Sequence, residues 1–304
     1  MNNVINVCLS CDDNYSKYAG VLITSILVNS LEGEFLNFYI LDGNISQENK
    51  QRLLKLKNIK NECNIEFIMV DEGMFELYKN VRTHKYVSVQ TYYRLKIASL
   101  LPNIHRVIYL DCDMVVCESL GELWNYDLGE NVIAGALDAR VYHQRKWKNT
   151  NYINAGMILY DLDYIRRNKI ENLFEEYTRA NINIIKTGDQ DIINYTLKDK
   201  IGIIDGIWNV QVSGFASRTN YTNYPNIIHY IGRDKPWIFG SNTYFKDRFF
   251  EYLQMSPWAL TEKEQEYWIT ENKRVSRKFF WEKRPYAIIH PKYWYAFFCS
   301  NFRY

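Results

Sequence analysis

Long apolar runs are missing from this sequence. Nowhere do about 18 apolar residues follow one another, so we expect no membrane-spanning helix. The residues after Met1 lack the charged-then-apolar pattern of a secretory signal, and no internal repeat or low-complexity linker occurs before residue 255. These absences predict a cytoplasmic protein in which residues 1–255 form one continuous domain.

Cysteine is sparse, with six residues in 304, and no secretory signal accompanies it. We therefore expect reduced thiols rather than disulfides. Cys8-x-x-Cys11 and Cys112-x4-Cys117 have spacings that a four-thiolate zinc site would tolerate. Cys8, however, belongs to a strand pattern, and Cys112 separates two aspartates, so structural thiols are the favoured interpretation.

Neither sign of charge dominates, because 37 Lys and Arg stand against 35 Asp and Glu. That balance gives no support for nucleic acid as a partner. The segment 256–304 differs from the rest, with nine Lys and Arg against five Glu, and its basic residues alternate with aromatic ones. This composition predicts a tail that attaches peripherally to an anionic membrane. The alternative is a terminal helix packed on the body.

Strand-like and helix-like segments alternate through the first half of the chain, the pattern of a parallel α/β sheet. Ser46 is the predicted N-cap of the helix that runs to Lys57. The predicted strands are 4–9, 38–41, 65–70, 107–110, 132–137, 155–160 and 227–230. The predicted helices are 18–29, 46–57, 91–100, 164–179 and 190–198.

The segment Tyr109-Leu110-Asp111-Cys112-Asp113 is the most informative motif. A short apolar strand runs directly into two carboxylates, which are costly to hold there without a cationic partner. Aspartates at i and i+2 on a strand end can converge on one hard metal ion, and open α/β sheets bind ligands at the carboxyl ends of their strands. Asp111 and Asp113 therefore predict a divalent-metal site shared with phosphate oxygens.

His229 lies at the end of another predicted strand and is followed by Gly232 and Lys235. An imidazole supplies a metal ligand, a glycine allows close backbone approach, and a lysine offsets negative charge. This segment therefore predicts a diphosphate site. A lone histidine is more often structural, so the prediction depends on the aspartate pair.

Four further segments have both a functional and a structural interpretation. Each is polar and lies at the end of a predicted element or on a helix face. The structural alternatives are a turn, a solvated helix face, a strand-entry turn and an N-cap. In chain order the candidate residues are Asp12 and Asn14, Arg94, Asn154 and Ala155, and Asp189 and Gln190.

Taken in order, these motifs resemble the retaining glycosyltransferases of family 8, over roughly residues 4–240. The resemblance is to the bacterial lipooligosaccharide α-galactosyltransferase and lipopolysaccharide α-glucosyltransferase type. It implies a single-domain type A nucleotide-sugar transferase fold, a Rossmann-like mixed sheet flanked by helices. It also implies transfer of galactose or glucose from a UDP-sugar to a glycan or lipid-linked saccharide acceptor, in the synthesis of cell-surface polysaccharide or lipopolysaccharide.

The resemblance also implies roles for the candidate residues. Mn²⁺, with Mg²⁺ as the alternative, would be held by Asp111, Asp113 and His229. Ser10, Asp12 and Asn14 would lie against uridine, and Gly232 and Lys235 would cap the diphosphate. The donor hexose would be surrounded by Arg94, Asn154, Ala155, Asp189 and Gln190.

Retention of configuration leaves two mechanisms open: a nucleophile on the opposite face of the sugar, or attack by the acceptor on the leaving-group face. Asp189 is the only matched carboxylate near the sugar, and Gln190 offers a dipole that steadies an oxocarbenium-like state. We favour same-face attack with a phosphate oxygen as base.

Rival interpretations start from the same aspartates. In a haloacid-dehalogenase-like phosphatase Asp111 would be the nucleophile and Asp113 the acid/base, but that family carries the motif on its first core strand. A nucleotidyltransferase would carry a Gly-rich basic loop after strand one, where this chain has acidic residues. A non-catalytic nucleotide-sugar-binding module is the third alternative.

Overall fold

Two β-sheets form the framework of the protein. A computed structural model describes residues 3–81, 88–139, 151–213 and 224–283, with side chains described as far as residue 275. The large sheet has the strand order β3-β2-β1-β4-β7-β6-β8, and the small sheet has the order β5-β10-β9. The strands are β1 (Asn3–Asp12), β2 (Glu34–Gly43), β3 (Cys63–Met69), β4 (Arg106–Leu110), β5 (Met114–Val116), β6 (Ile133–Ala136), β7 (Met157–Asp161), β8 (Ile201–Ile204), β9 (Val210–Val212) and β10 (Ile227–Tyr230).

Helices cover both faces of the large sheet. Within the described ranges they are α1 (Ser16–Asn29), α2 (Gln47–Leu54), α3 (Glu76–Lys79), α4 (Ile97–Leu100), α5 (Gly121–Trp124), α6 (Leu162–Arg167), α7 (Ile170–Asn181), α8 (Asp189–Thr196), α9 (Lys246–Met255) and α10 (Glu262–Lys283). Short 3₁₀ helices include Asp13–Tyr15, Val89–Lys96 and Gly206–Asn209.

The large sheet is mixed, with four parallel strands on one side. Strands β3, β2, β1 and β4 run parallel, whereas β7 runs antiparallel to both β4 and β6. Successive residues of β1 alternate between the two cores: Val7 and Leu9 face α1 and α2, and Cys8 faces α4, α6, α7 and α8. Burial on both faces explains why this strand reads as a nearly continuous apolar run.

The small sheet places β10 beside the end of β4. Strand β5 follows β4 after three residues and pairs antiparallel with β10, with His229 opposite Met114. A third core between this sheet, α1 and α9 contains Val115, Ile228 and Phe249. The chain reversal between β4 and β5 therefore lies where the two sheets meet, and both aspartates of the motif lie in that reversal.

The predicted architecture is confirmed, and several element boundaries are corrected. The predicted helix 91–100 is a 3₁₀ helix over Val89–Lys96 that becomes α-helical only at Ile97, because the backbone at Lys96 (φ −123°, ψ 16°) leaves the helical region. The predicted helix 164–179 is two helices, because Lys169 adopts φ +52° and interrupts it. Ser46 is the N-cap of α2 as predicted, with its side chain accepting from the Asn49 amide.

Residues beyond 255 pack on the body. The indole of Trp258 lies so close to α1 that a Cβ at Gly20 would come within 2.2 Å of it. On α10, Trp268 packs 4.3 Å from the Phe250 ring centroid, and the Asn272 side chain accepts from the Gly240 amide. The first turns of the tail are thus a packed helix, whereas the predicted basic and aromatic side chains from 276 onward lie outside the described residues. No helix in the described part of the chain is long and apolar enough to cross a bilayer.

Candidate metal and nucleotide-sugar site

Asp111, Asp113 and His229 converge from the two sheets. The aspartates follow β4 and the histidine belongs to β10, which hydrogen-bonds to the chain reversal through Tyr230 N and Asp113 O at 2.9 Å. One ligand atom from each of the three side chains lies within 4.8 Å of the others. The sequence-predicted trio is therefore assembled at the carboxyl end of β4.

Each side chain of the trio has two polar atoms, and a neighbouring residue forms a close polar contact with one of them. Asp111 Oδ1 accepts from Arg94 Nη2 at 2.6 Å and from the Tyr109 hydroxyl at 3.2 Å. Asp113 Oδ2 accepts from Lys235 Nζ, which also donates to the Tyr230 carbonyl. The Nδ1 of the histidine lies 3.0 Å from Asn209 Oδ1. Three atoms remain directed at the shared space: Asp111 Oδ2, Asp113 Oδ1 and His229 Nε2.

This arrangement fits a divalent cation. Asp113 Oδ1 is buried and has no hydrogen-bond partner among the described residues, although it lies 3.3 Å from His229 Nε2. When Nδ1 carries the imidazole proton, a lone pair on Nε2 faces this carboxylate oxygen. Two such acceptors are stabilised by a positive charge between them, which a second imidazole proton or a metal ion provides.

Electrostatics keep Asp113 ionised. Burial alone would raise its pKa, but the ammonium charge of Lys235, together with the adjacent His229, outweighs that effect and holds the pKa well below its usual range. The carboxylate is therefore available as an anionic ligand at any physiological pH. A hard cation such as Mn²⁺ or Mg²⁺ takes oxygen ligands of this kind, and Mn²⁺ also accepts an imidazole nitrogen.

Gly156 supplies the room that the trio needs. A Cβ at this position would lie 2.4 Å from His229 Cε1 and 2.9 Å from Asp111 Oδ2. The Gly156 backbone also stabilises the chain reversal between β4 and β5, because its carbonyl accepts a hydrogen bond from the Asp111 amide at 2.8 Å. The absence of a side chain at Gly156 therefore makes space for the metal-binding side chains themselves.

Arg94 is buried in the site, so the alternative of a solvated helix face is wrong. Its guanidinium bridges Asp111 and Asp189, with Nε 3.0 Å from Asp189 Oδ2, and also donates to the Ala155 carbonyl. Its Cζ lies 4.5 Å above the Tyr109 ring. Burial, opposed by Arg94 and reinforced by the charge of Asp111, raises the pKa of Asp189 to about 6. Asp189 is not an N-cap, because Gly188 holds that position and Asp189 is the first residue of α8.

Gln190 and Asn154 belong to a buried amide network. Gln190 Oε1 accepts from the Ala155 amide at 3.2 Å, and its Nε2 donates to Asp138 Oδ2 at 2.8 Å. Asn154 Nδ2 lies 3.3 Å from Gln190 Oε1, and its Oδ1 accepts from the Gly156 amide. These side chains therefore fix one another beneath the cleft. Asp138 was missed from the sequence, where it stands in no recognisable motif.

A cleft of about 550 Å³ opens beside the trio. Ser10 and Asp12 line one part, where the Ser10 hydroxyl donates to the Gln90 carbonyl and Asp12 Oδ1 caps the turn at Tyr15 N. The predicted residues that line the cleft are Ser10, Asp12, Arg94, Asp111, Asp113, Gly232 and Lys235. Gln90, Tyr15 and Trp237 also line it and were missed.

Gly232, which lines the cleft, has φ +71° with open space around it, so the backbone conformation explains the glycine. Other predicted residues are not part of the described lining. Asn14 is exposed in the 3₁₀ helix Asp13–Tyr15 and is not among the described lining residues, while Asn154, Ala155, Asp189 and Gln190 lie beneath the surface. Cys112 donates to the Ser10 carbonyl and is not part of the trio, and no described cysteine belongs to a metal-binding group.

The fold and the site define a glycosyltransferase of the type A class. The solved structure of the galactosyltransferase LgtC, in complex with donor and acceptor sugar analogues, matches with a TM-score of 0.75 at 26% identity, covering 86% of this chain and 99% of that chain. The model of glycosyl transferase family 8 matches residues 6–239. The chain belongs to glycosyl transferase family 8, and the predicted family, fold and hexosyltransferase class are confirmed.

Curated relatives agree with this assignment. A putative glycosyltransferase of Haemophilus influenzae is 32% identical over 78% of this chain and 74% of its own length. General stress protein A of Bacillus subtilis is 28% identical over 84% and 96%. The lipopolysaccharide 1,3-galactosyltransferase of Salmonella typhimurium is 26% identical over 84% and 79%. Family membership excludes the dehalogenase-like phosphatase alternative.

Proposed function

We propose that this enzyme transfers galactose or glucose, with retention of configuration, from a UDP-sugar to a saccharide acceptor in a Mn²⁺-dependent reaction. The proposal depends on the geometry of Asp111, Asp113 and His229. Each of these side chains has one polar atom in contact with a neighbouring residue and one polar atom directed at a shared point. A preorganised set of two carboxylates and an imidazole beside a 550 Å³ cleft suits a cation that grips a diphosphate.

The chain's own residues supply the remaining chemistry. A bound Mn²⁺ would act as a Lewis acid for the diphosphate leaving group, with Asp111, Asp113 and His229 holding it. Lys235 Nζ stands at the cleft beside Asp113 and adds a second positive charge for the phosphates. Ser10 and Asp12 line the part of the cleft that we assign to uridine.

For the transfer step at the sugar we favour same-face attack. Asp189 is buried, and its charge is already paired with Arg94. Gln190 is held by Ala155 and Asp138, so its amide dipole is fixed in direction. These contacts suit electrostatic support of a cationic sugar better than a mobile nucleophile, with a phosphate oxygen as the base.

The donor is tested by measuring UDP release from UDP-galactose, UDP-glucose, UDP-N-acetylglucosamine and UDP-galacturonic acid, each with Mn²⁺, Mg²⁺ or chelator. We expect turnover of UDP-galactose or UDP-glucose that requires the metal and is lost in Asp113→Asn. NMR of the product with a saccharide acceptor should show the anomeric configuration of the donor. Metal-independent turnover, or turnover with none of the four donors, would contradict the proposal.

We also propose a cytoplasmic enzyme with a catalytic domain over 1–255 and a tail over 256–304 that contacts the inner face of the membrane. Support comes from the basic and aromatic composition of the tail, and from relatives that act on lipopolysaccharide, such as the Escherichia coli 1,2-glucosyltransferase at 26% identity. The same relatives support a lipid-linked saccharide as one candidate acceptor. Sedimentation of the full chain with anionic vesicles, reversed by salt and absent with neutral vesicles, is the expected result; equal binding to both would contradict it.

A further inference from the structure

Asn209 is buried directly behind the metal-binding histidine. The residue ends the 3₁₀ helix Gly206–Asn209, is 2% exposed, and directs Oδ1 at His229 Nδ1 over 3.0 Å. Its Nδ2 lies 3.0 Å from Asn154 Oδ1. No sequence pattern marks this asparagine, and the proposed chemistry does not use it.

The orientation of this chain of amides follows from one donor of known identity. The backbone N–H of Gly156 donates to the Asn154 side chain at 3.0 Å, so the Asn154 atom there is its oxygen. That oxygen accepts from Asn209, so the facing Asn209 atom is its nitrogen. The carboxamide oxygen of Asn209 consequently faces His229 Nδ1, which must carry a hydrogen.

The contacts of Asn154 Nδ2 give the same orientation for this carboxamide. Its Nδ2 is directed at Gln190 Oε1 and at Asp138 Oδ2, and a carboxylate oxygen accepts only. Gln190 is fixed in turn, because its Oε1 accepts from the Ala155 backbone N–H. Two backbone donors and one carboxylate therefore determine the orientation of all three side-chain amides, those of Asn154, Asn209 and Gln190.

We propose that Asn209 is a positioning residue, which holds His229 in the Nδ1–H tautomer so that the Nε2 lone pair is directed at the shared point of the trio. This inference rests on the metal site of the proposed function and deepens it. Ligating histidines usually donate their second N–H to such a partner, and loss of the partner typically weakens metal binding by about 10- to 100-fold. The hydrogen bonds continue from Asn209 through Asn154 to Gln190. One hydrogen-bonded network therefore links the metal ligand His229 to the residue that we place near the donor sugar.

The test combines metal affinity with the tautomer. Mn²⁺ binding is measured by EPR titration, and the His229 tautomer by long-range ¹H–¹⁵N NMR of the metal-free protein. Wild type should bind Mn²⁺ and show Nδ1–H. Asn209→Leu, which has similar volume and no acceptor, should bind Mn²⁺ about 10- to 100-fold more weakly and shift toward Nε2–H. Asn209→Asp loses the donor to Asn154 Oδ1 but retains an acceptor for Nδ1–H, so it should keep the tautomer.

A matched control is Asn194→Ala. Asn194 is equally buried and bonds to the Ile153 backbone and to the Gln190 carbonyl, but not to His229. This variant should lose stability while keeping the wild-type Mn²⁺ affinity. An Nε2–H tautomer in the wild type, or a folded Asn209→Leu with wild-type affinity, would overturn the role of Asn209. Failure of the wild type to bind Mn²⁺ would instead contradict the metal site itself.

Discussion

The Nε atom of Arg94 lies 3.0 Å from Oδ2 of Asp189, and both side chains are almost completely buried. Arg94 divides its charge between this carboxylate and Asp111. The pair therefore compensates only part of the cost of burying Asp189, whose pKa rises to about 6 from 3.8. Ionisation of Asp189 thus opposes folding, even though the group has a cationic partner.

This relationship predicts a pH dependence of stability. Because the folded pKa is raised, the folded state binds more protons than the unfolded state in the window between the two values. The stabilisation is present below the unfolded pKa and is lost as pH rises through about 6. Asp189 should lower the free energy of unfolding by about 1 kcal/mol between roughly pH 5 and pH 7. Urea denaturation at a series of pH values, with a chelator present, measures this change in the free energy of unfolding.

The matched variant for that measurement is Asp189→Asn, which keeps the shape and removes the titration. Other titrating groups contribute equally to both proteins, so the difference between the two pH profiles isolates Asp189. Parallel profiles for wild type and variant would contradict the raised pKa.

Gly156→Ala should disrupt the metal site. The added Cβ would meet His229 Cε1 at 2.4 Å and Met114 Cε at 2.9 Å, so one or both must move. We expect a cost of about 1–3 kcal/mol in the free energy of unfolding, together with a loss of Mn²⁺ affinity of roughly tenfold or more. Isothermal titration with Mn²⁺ and thermal unfolding measure the two effects.

Gly135→Ala is the control for overpacking alone. A Cβ there would lie 2.8 Å from Ile153 Cδ1 and 3.1 Å from the Met157 carbonyl, in the core and away from the trio. It should destabilise the fold while preserving Mn²⁺ affinity. If Gly156→Ala also kept wild-type affinity, the glycine would not serve the metal ligands.

Lys235→Met should separate metal binding from nucleotide binding. Lys235 donates to Asp113, so its removal takes a positive charge away from a metal ligand. Mn²⁺ affinity should therefore stay the same or increase. UDP affinity in the presence of Mn²⁺ should fall by about 10- to 100-fold, since a hydrogen bond to a charged group contributes roughly 1.5–3 kcal/mol.

Titration calorimetry with Mn²⁺ alone and then with UDP distinguishes the two effects. Lys55→Met, an exposed lysine outside the described lining of the cleft, should leave both affinities unchanged. Weaker Mn²⁺ binding with unchanged UDP affinity in Lys235→Met would refute the role assigned to this lysine.

The sequence is most informative where a functional residue comes directly after a strand that the sequence itself predicts. Asp111 and Asp113 stand at the end of an apolar strand, and position in the chain alone placed them at a sheet edge. His229 is distant in sequence, and only the order of family motifs joined it to the aspartates. The structure brings it there through pairing of β10 with the three-residue β5, which is too short to show a periodicity.

The supporting residues were least predictable. Arg94 lies in a segment whose composition suited a solvated helix, and its burial depends on the distant carboxylates that neutralise it. Asn209 and Asp138 have no local pattern because their roles are defined entirely by partners far away in sequence. Local propensity and spacing cannot specify such contacts.

Anomalous diffraction at the manganese edge, from crystals soaked with Mn²⁺ and UDP, would locate the metal and the nucleotide together. We expect one strong peak between Asp111, Asp113 and His229, with the diphosphate of UDP against it and the uridine toward Ser10 and Asp12. A peak elsewhere, or a nucleotide bound away from the three side chains, would contradict this expectation.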